Sequence, residues 1–500
     1  MILKPQLEDL KIIGFYLGKI ILGLAFTMLL PFFAGIFFKE INPALDFFVG
    51  AEIAVLAGFF LIKICRTEKD LNWMQGMIVV SLSWMAAMIL SAVPLYLSGH
   101  FKSFLDTCFE TMSGLTTTGL TLVQDLDHLS LTHNLWRHLV PFIGGQGIAI
   151  VALSLFVKGT SGALKLYIGE AREEKILPNI IHTARFIWLI SIVYLILGTL
   201  ALGITGILNG IKPLSAFYHG ACIFMAGFDT AGFAPQSQNI LYYHSAPFEI
   251  VIMFIMLFGS LNFNLHYQLW NGNRKEIFKN IETRTLFISI MLTFLIMGVG
   301  LNQLNVYPKA LLLFRKGFFQ LLSGHTTTGY MTVYARQFIT EWGNLALLAM
   351  ICAMAIGACA CSTAGGIKIL RAGIIFKAFK EDIKRIIMPD KAIVIEKFHH
   401  IKDIFLTDKL ARGALIITAA YIILYGLGTL VGVFCGYPFL EALFESTSAA
   451  ANVGFSCGIT SVVMPPVLKL TYIIQMWAGR LEFMSVFAII GFLTAVFKGK

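Results

Sequence analysis

Apolar residues fill most of the chain in stretches of the length that crosses a bilayer, about 20 helical residues, with short polar loops between them. Two such stretches open the sequence, at 12–38 and 44–65. Met1 to Lys11 is polar and charged, and no small-residue cleavage site follows the first apolar run. That run reads as a retained span and not as a secretory signal. The pattern then changes and repeats four times. Each unit has a long apolar helix, a shorter apolar segment ending in a Thr/Gly-rich turn, a polar outer stretch and a second long helix. The first helices are expected at 72–98, 184–209, 284–304 and 409–434. The second helices are expected at 136–158, 246–270, 340–376 and 466–497, giving ten spans.

The short segments, at 103–116, 214–228, 311–326 and 440–451, cannot cross, and each ends on small polar residues at membrane depth. Irregular backbone is tolerated there only where it is buried in protein or lines a water-filled cavity. A re-entrant helix followed by an extended loop meets that condition, and four such loops need a shared aqueous path. The expected fold is therefore an all-α polytopic membrane protein with four helix–pore loop–helix repeats around one pore, plus two N-terminal helices. The expected division is 1–70 for the N-terminal pair, 71–160, 183–272 and 283–378 for repeats one to three, 379–408 for a basic cytoplasmic segment, and 409–500 for repeat four. The third repeat's second helix is expected to be broken.

Lined up, the loops share a pattern. The first reads Ser113-Gly114-Leu115-Thr116-Thr117-Thr118-Gly119-Leu120 and the third Ser323-Gly324-His325-Thr326-Thr327-Thr328-Gly329-Tyr330. The fourth reads Ser448-Ala449-Ala450-Ala451-Asn452-Val453-Gly454-Phe455. Phe109-Glu110, Phe319-Gln320 and Phe444-Glu445 precede them, the second residue of each pair nine positions before the glycine. Glu110 and Glu445 read as hydrogen-bonding anchors behind the loops. In the second loop, Gly227-Phe228-Asp229-Thr230-Ala231-Gly232-Phe233, the pattern is looser. His219 lies thirteen residues before Gly232, which suggests about four inserted residues. Gly227 competes with Gly232 for the glycine position, and Gly232 is preferred because Ala231-Gly232-Phe233 matches Val453-Gly454-Phe455. A dehydrated cation needs replacement oxygens, and backbone carbonyls turned toward an axis supply them without net charge. Glycine permits the dihedrals that turn successive carbonyls the same way, and threonine adds a hydroxyl oxygen with little bulk. The candidate cation ligands are thus Thr117, Thr118, Gly119, Thr230, Ala231, Gly232, Thr327, Thr328, Gly329, Asn452, Val453 and Gly454.

Ala355 to Gly366 is small and polar inside an apolar run, and Gly357, Gly365 and Gly366 weaken helix there. It reads either as a kink or tight helix contact or as a constriction beneath the loops. It mimics a phosphate-binding loop, but Gly366 is followed by Ile367 and Lys368 in place of Lys and Ser/Thr, so nucleotide binding is rejected there. Arg480 lies in the last apolar helix. Such charges face a partner or a cavity, so it either pairs with Glu482 near the interface or faces the pore beneath the loops.

Composition agrees with this class. Of 500 residues 57% are hydrophobic and 13% charged, against about 25% charged in soluble domains. The formal charge of +10 follows from topology and not from nucleic-acid binding. Basic residues cluster in alternate loops: Lys63, Arg66 and Lys69; Arg172, Lys175 and Arg185; Arg274, Lys275, Lys279 and Arg284; and 377–412, with Lys380, Lys384, Arg385, Lys391, Lys397, Lys402 and Lys409. The positive-inside rule makes these loops, and both chain ends, cytoplasmic. The eight scattered cysteines give no disulfide framework, and Cys359 and Cys361 lack zinc-site spacing. His399 and His400 read as a solvated pair.

These residues resemble the Trk/Ktr/HKT superfamily of potassium transporters over nearly the whole chain. The two extra N-terminal helices, the loop from Ala358 to Lys368, and Trp477-Ala478-Gly479-Arg480-Leu481-Glu482 are similar to its TrkH type. The resemblance implies a pseudo-fourfold pore taking potassium as transported substrate, no bound organic cofactor, a bacterial inner-membrane location, homodimers, and a cytoplasmic NAD- or ATP-binding regulatory ring of TrkA-like type. It also implies a gate at Gly357, Ser362, Thr363, Gly365, Gly366 and Lys368, with Arg480 beside it. Asp229 stands where the family often has a neutral residue; it could attract cations or point away from the axis.

The expected function is potassium uptake through a gated, channel-like pore. The alternative is a sodium- or proton-coupled symporter with alternating access, a class that often shows inverted repeats. Here each basic loop follows a second helix, so the repeats share one orientation, which favours a pore. An enzyme is not expected, because no His-Glu-x-x-His helix, Gly-x-Ser-x-Gly turn or paired intramembrane aspartate is present. The basic segment around Lys380, Lys384 and Arg385 is the expected docking face for the regulator, with attraction to anionic lipid headgroups as the other reading.

Overall fold

The computed structural model describes residues 6–123, 125–147, 164–167, 170, 176, 179–389 and 395–497. The part 148–158 of the helix expected at 136–158 and the basic residues Arg172, Lys175 and Lys391 lie outside these residues. Two N-terminal helices, Leu7–Phe37 and Ile41–Ile64, pack along each other. The first helices of the four units follow at Trp73–Leu97, Ile180–Leu208, Ile281–Gln303 and Asp408–Phe434. Each starts on a side chain that satisfies a free backbone N–H of the first turn. Asn72 accepts from Gln75 N, Asn179 from Ile181 N, Asn280 from Glu282 N and Thr407 from Leu410 N. Their outer faces are apolar and exposed, as at Leu197, Leu295 and Ile423. That arrangement suits hydrocarbon around a multi-pass membrane protein.

The short helices are Phe104–Leu115, Pro213–Phe228, the run 310–325 ending in Phe319–His325, and Phe439–Ala450. At twelve residues the first reaches only about 18 Å. They are walled in by the long helices, with Phe109, Phe319 and Phe444 fully buried.

The second helices depart from expectation. Only the third was expected to break, yet those of units two and four also bend, by 102° between Ala246–Ser260 and Phe263–Trp270 and by 113° beyond Pro466–Arg480. Among the described residues six helices are long and apolar enough to cross alone, and eight if each bent pair counts as one span. At the first bend Leu261 is extended and buried Asn262 caps the new helix, accepting from Asn264 N at 2.8 Å. At the second, Glu482 and Phe483 take left-handed φ of 49° and 70°. In the first unit Leu131–Gln146 ends at Gly147, whose φ is 97°. In the third, Gly343–Ala355 and Ile369–Ile387 flank an irregular loop, 356–368.

The described part of the segment expected at 379–408 carries structure of its own. The helix runs on to Ile387, and an antiparallel hairpin pairs Lys397–His400 with Lys402–Phe405. The hairpin docks on the loop between units two and three: His399 Nε2 lies 3.0 Å from Glu276 Oε2, and Ile401 N donates to Glu276 Oε1 at 3.1 Å. His400 is buried with Nδ1 3.2 Å from Asn280 Oδ1. The histidine pair is therefore a docking element and not a solvated pair. Among the described residues no group of three or more His, Cys, Asp or Glu is placed to hold a metal.

Candidate functional site

All four short helices end in the same backbone turn. Thr117, Thr230, Thr327 and Asn452 have left-handed φ of 57°, 53°, 56° and 54°. The glycine two residues on is also left-handed: Gly119 at 93°, Gly232 at 66°, Gly329 at 80° and Gly454 at 90°. Between them, the N–H groups of Thr118, Ala231, Thr328 and Val453 donate to Ser113, Ala226, Ser323 and Ser448 carbonyls at 2.7 to 2.9 Å. The second loop fits with no insertion, and Gly227 lies inside its helix. His219 is thus not the counterpart of Glu110. That position is Ile223, nine before Gly232, and His219 sits one turn earlier, 3.0 Å from the Tyr243 hydroxyl.

The four turns close into a ring. A Cβ placed on Gly119 would overlap the Ala231 carbonyl oxygen, one on Gly232 that of Thr328, one on Gly329 that of Val453, and one on Gly454 that of Thr118. Each glycine is therefore demanded twice, by its φ and by the next repeat's carbonyl. The oxygens of Thr118, Ala231, Thr328 and Val453 accept no hydrogen bond from the described residues. Buried carbonyls are normally paired, and four unpaired ones on one ring are a place where a cation can replace its water. The hydroxyls of Thr118 and Thr328 also brace the turns. Thr118 Oγ1 meets Thr116 Oγ1 at 2.8 Å and accepts from Asn452 Nδ2 at 3.0 Å, and Thr328 Oγ1 meets Thr326 Oγ1 at 2.8 Å. Above the ring all four glycines open on one cavity of about 220 Å³.

Three helices anchor the chain that leaves the ring. Glu110 Oε2 accepts from Leu122 N at 2.8 Å, Gln320 Oε1 from Thr332 N at 2.9 Å, and Glu445 Oε1 from Cys457 N at 3.0 Å. Buried Arg137 pairs with Glu110 at 2.8 Å. The second repeat has no such acid or amide at Ile223. Its loop is held by Asn239, whose Nδ2 donates to Gly232 O at 3.1 Å and whose Oδ1 accepts from Met331 N at 3.1 Å. Asn239 thus engages one of the four outer carbonyls and ties repeat two to repeat three. Asp229 points away from the ring, accepting from Gln146 Nε2 at 2.9 Å.

The loop 356–368 lies directly beneath. Thr363 Oγ1 donates to Phe228 O and Gly259 O, both at 2.9 Å, and lies 3.4 Å from Thr230 Oγ1. Gly365 N donates to Thr327 Oγ1 at 2.9 Å, and a Cβ there would overlap Ala451 O. Thr117 Oγ1 lies 3.4 Å from Thr363 O. The loop thus meets the turns of all four repeats. It is closed on itself by an Ile356–Ile367 bridge, by Ser362 Oγ donating to Cys359 O at 2.6 Å, and by Lys368 Nζ donating to Ala364 O. Gly357 and Gly366 pack so closely that a Cβ on Gly357 would overlap Gly365 O. Arg480 enters from the fourth repeat and donates to Thr117 Oγ1 at 3.2 Å, to Thr363 O, and to Gly144 O and Gly145 O at 3.0 and 3.1 Å. Glu482 is engaged by Arg371, with Lys368 at 3.9 Å. Between loop and Arg480 remains a cavity of only about 30 Å³.

Sequence reading missed two features. One is Asn239, which no repeat pattern marks. The other is Gly144, Gly259 and Gly479, where a Cβ would overlap the carbonyls of Leu115, Phe228 and Ala450, the last residues of three short helices. Their recurrence just before the end of a second helix was a readable signal.

Known proteins agree with this architecture. A family profile described as TrkH, cation transport protein, matches residues 53–492. An uncharacterized cation transporter of Methanocaldococcus jannaschii is 31% identical over 98% of this chain and 97% of its own length. The Trk system potassium uptake protein TrkH of Escherichia coli K12 is 26% identical over 96% of this chain and 97% of its own. The crystal structure of the potassium transporter TrkH from Vibrio parahaemolyticus superposes with a TM-score of 0.81 at 22% identity, covering 96% of this chain and 98% of that one.

Proposed function

The chain belongs to the TrkH family of cation transport proteins, and from that premise we propose that it carries potassium across the plasma membrane through a gated, channel-like pore. The observation that carries this reading is the closed ring of four glycine turns with unpaired carbonyls at Thr118, Ala231, Thr328 and Val453. In this reading the ring is the selectivity filter. A larger ion gives up its water at lower cost to fixed carbonyls, so potassium and rubidium pass and sodium and lithium are rejected. The loop 356–368 with Arg480 is the gate. It obstructs the path below the filter and contributes no selectivity of its own. The proposed division is the N-terminal pair followed by four repeats, with 379–408 now containing the docked hairpin.

The wider setting is proposed on the same footing. The membrane is the bacterial inner membrane, with both termini cytoplasmic by the basic-loop rule. In this reading the subunit pairs with a second copy and is regulated by a cytoplasmic NAD- or ATP-binding ring; the Trk system name of its relatives supports a partner subunit. Within the expected docking face, Lys384 already pairs with Glu396, and Arg385 with Glu381 at 2.6 Å. Lys380 is exposed and is the residue we assign to the regulator. The test is uptake of radioactive rubidium into liposomes holding the purified protein. Competition by potassium and not by sodium or lithium is expected, and equal competition by sodium would remove the filter reading.

A further inference from the structure

Between the helix Ile369–Ile387, which leaves the loop, and the helix Asp408–Phe434, which starts the fourth repeat, lies a cavity of about 670 Å³. Its polar wall is formed by Lys368, Arg371, His400 and Lys409, with Glu482 the one acid among them. Its other wall is apolar, with Leu370, Ile374, Leu410, Ala414 and Ile417. Lys409 and Leu410 stand in the first turn of a span whose outward face carries exposed Leu415, Ile416 and Ile422. That fixes the cavity at the boundary between hydrocarbon and water, where basic residues meet lipid headgroups. Lys409 makes no ion pair with the described residues.

We propose that this cavity binds the phosphate headgroup of an anionic phospholipid, with its acyl chain along Ile374, Leu410 and Ile417. Three cations, Lys368, Arg371 and Lys409, against one carboxylate leave the polar wall positive. An anionic headgroup matches that wall, whereas a zwitterionic one brings its own cation against it. The volume lies within the range of sites for small organic ligands, roughly 300–1,000 Å³. The position gives the lipid a consequence. Arg371 and Lys368 hold Glu482 at the bend of the fourth repeat, and Lys368 also donates to Ala364 O inside the loop. A phosphate oxygen competes with Glu482 for the same cations and so loosens the loop's exit. This consequence rests on the gate reading above; the binding itself does not.

The test uses the purified full chain in neutral detergent, read by melting temperature and not by flux. Two variants probe the cavity. Lys409→Glu reverses an exposed charge. Gly413→Leu fills the cavity from a position where a Cβ meets nothing within 4 Å, and leucine is the better helix residue. Phosphatidylglycerol should raise the melting temperature of the unmodified protein by several degrees, saturating with lipid. Phosphatidylcholine of the same chains and glycerol phosphate should not. Either variant should lose about half or more of the shift. An equal shift with phosphatidylcholine, or a full shift retained in both variants, overturns the site. An equal shift with glycerol phosphate overturns the lipid and assigns the cavity to a free phosphate.

Discussion

Thr117, Thr230 and Thr327 are β-branched and sit at φ between 53° and 57°, with Asn452 beside them at 54°. Such backbone costs about 1–3 kcal/mol per residue and persists only where surrounding contacts enforce it. Here the enforcement is mutual, since each turn's glycine is covered by the next turn's carbonyl. A side chain on Gly119 meets both a φ of 93° and the Ala231 oxygen. Gly119→Ser should therefore push the ring open locally and lower potassium-over-sodium preference by about tenfold, the size of one 1.4 kcal/mol step. Reversal potentials under mixed potassium and sodium check this. An unchanged preference would mean the ring tolerates a side chain that its geometry excludes. At this scale the sequence was legible where chemistry repeats. Glu110, Gln320 and Glu445 announced themselves by spacing from the glycine. Asn239 did not, because it performs an equivalent task from the opposite side of the glycine and from only one repeat. The supposed insertion before Gly232 arose for the same reason: with no anchor at Ile223, His219 was the nearest polar residue to align.

The elements were legible by length and apolarity, and their breaks were not. A run such as 246–270 is apolar over most of its length, so periodicity sees one helix. The bend is set by Asn262, which caps a new helix and donates to Glu282 Oε2 at 3.1 Å, a partner distant in sequence. The loop 356–368 was visible because glycine and small polar residues interrupt apolar ones. Its closure depends on Arg480, whose guanidinium bridges three segments. A hydrogen bond to a charged group contributes about 1.5–3 kcal/mol. Losing even one should shift the loop's opening by about tenfold, so Arg480→Ala should raise flux with ion preference unchanged. Macroscopic current and reversal potential on the same membranes separate the two. A preference that moves with flux would place Arg480 in the selecting ring.

The hairpin makes a second prediction at this scale. The Asp403 carboxylate, and after it Glu276, hold the His399 imidazole above its ordinary 6.5. Asp403 is in turn held below 3.8 by His399 and then Lys397. A raised histidine pKa contributes stability that is complete below the unfolded value and is lost as pH rises through the folded one. The carboxylate's share is lost at the other end, as pH falls through its folded value. Docking of the hairpin should thus be tightest between these two titrations and loosen as pH rises through the raised histidine value. Hydrogen exchange at 397–405 should accelerate as pH rises beyond its intrinsic trend, and His399→Gln should remove that excess. Exchange that follows the intrinsic trend alone would contradict it.

For the molecule as a whole, four units of one orientation enclose one axis, and the ring, the loop beneath it and the cavity above it lie in series. Repetition made this legible. Four weak likenesses in equivalent places constrain one another, and each loop's short helix had nowhere to go but inward. The hairpin belongs to no repeat, the lateral cavity lies between repeats three and four alone, and nothing in the pattern could place them. The position of the ion decides whether the ring is the selecting element. Crystals soaked in thallium or rubidium should show anomalous density on the axis, among the carbonyl oxygens of Thr118, Ala231, Thr328 and Val453. Ordered density elsewhere in the molecule, with the ring empty under the same soak, would contradict it.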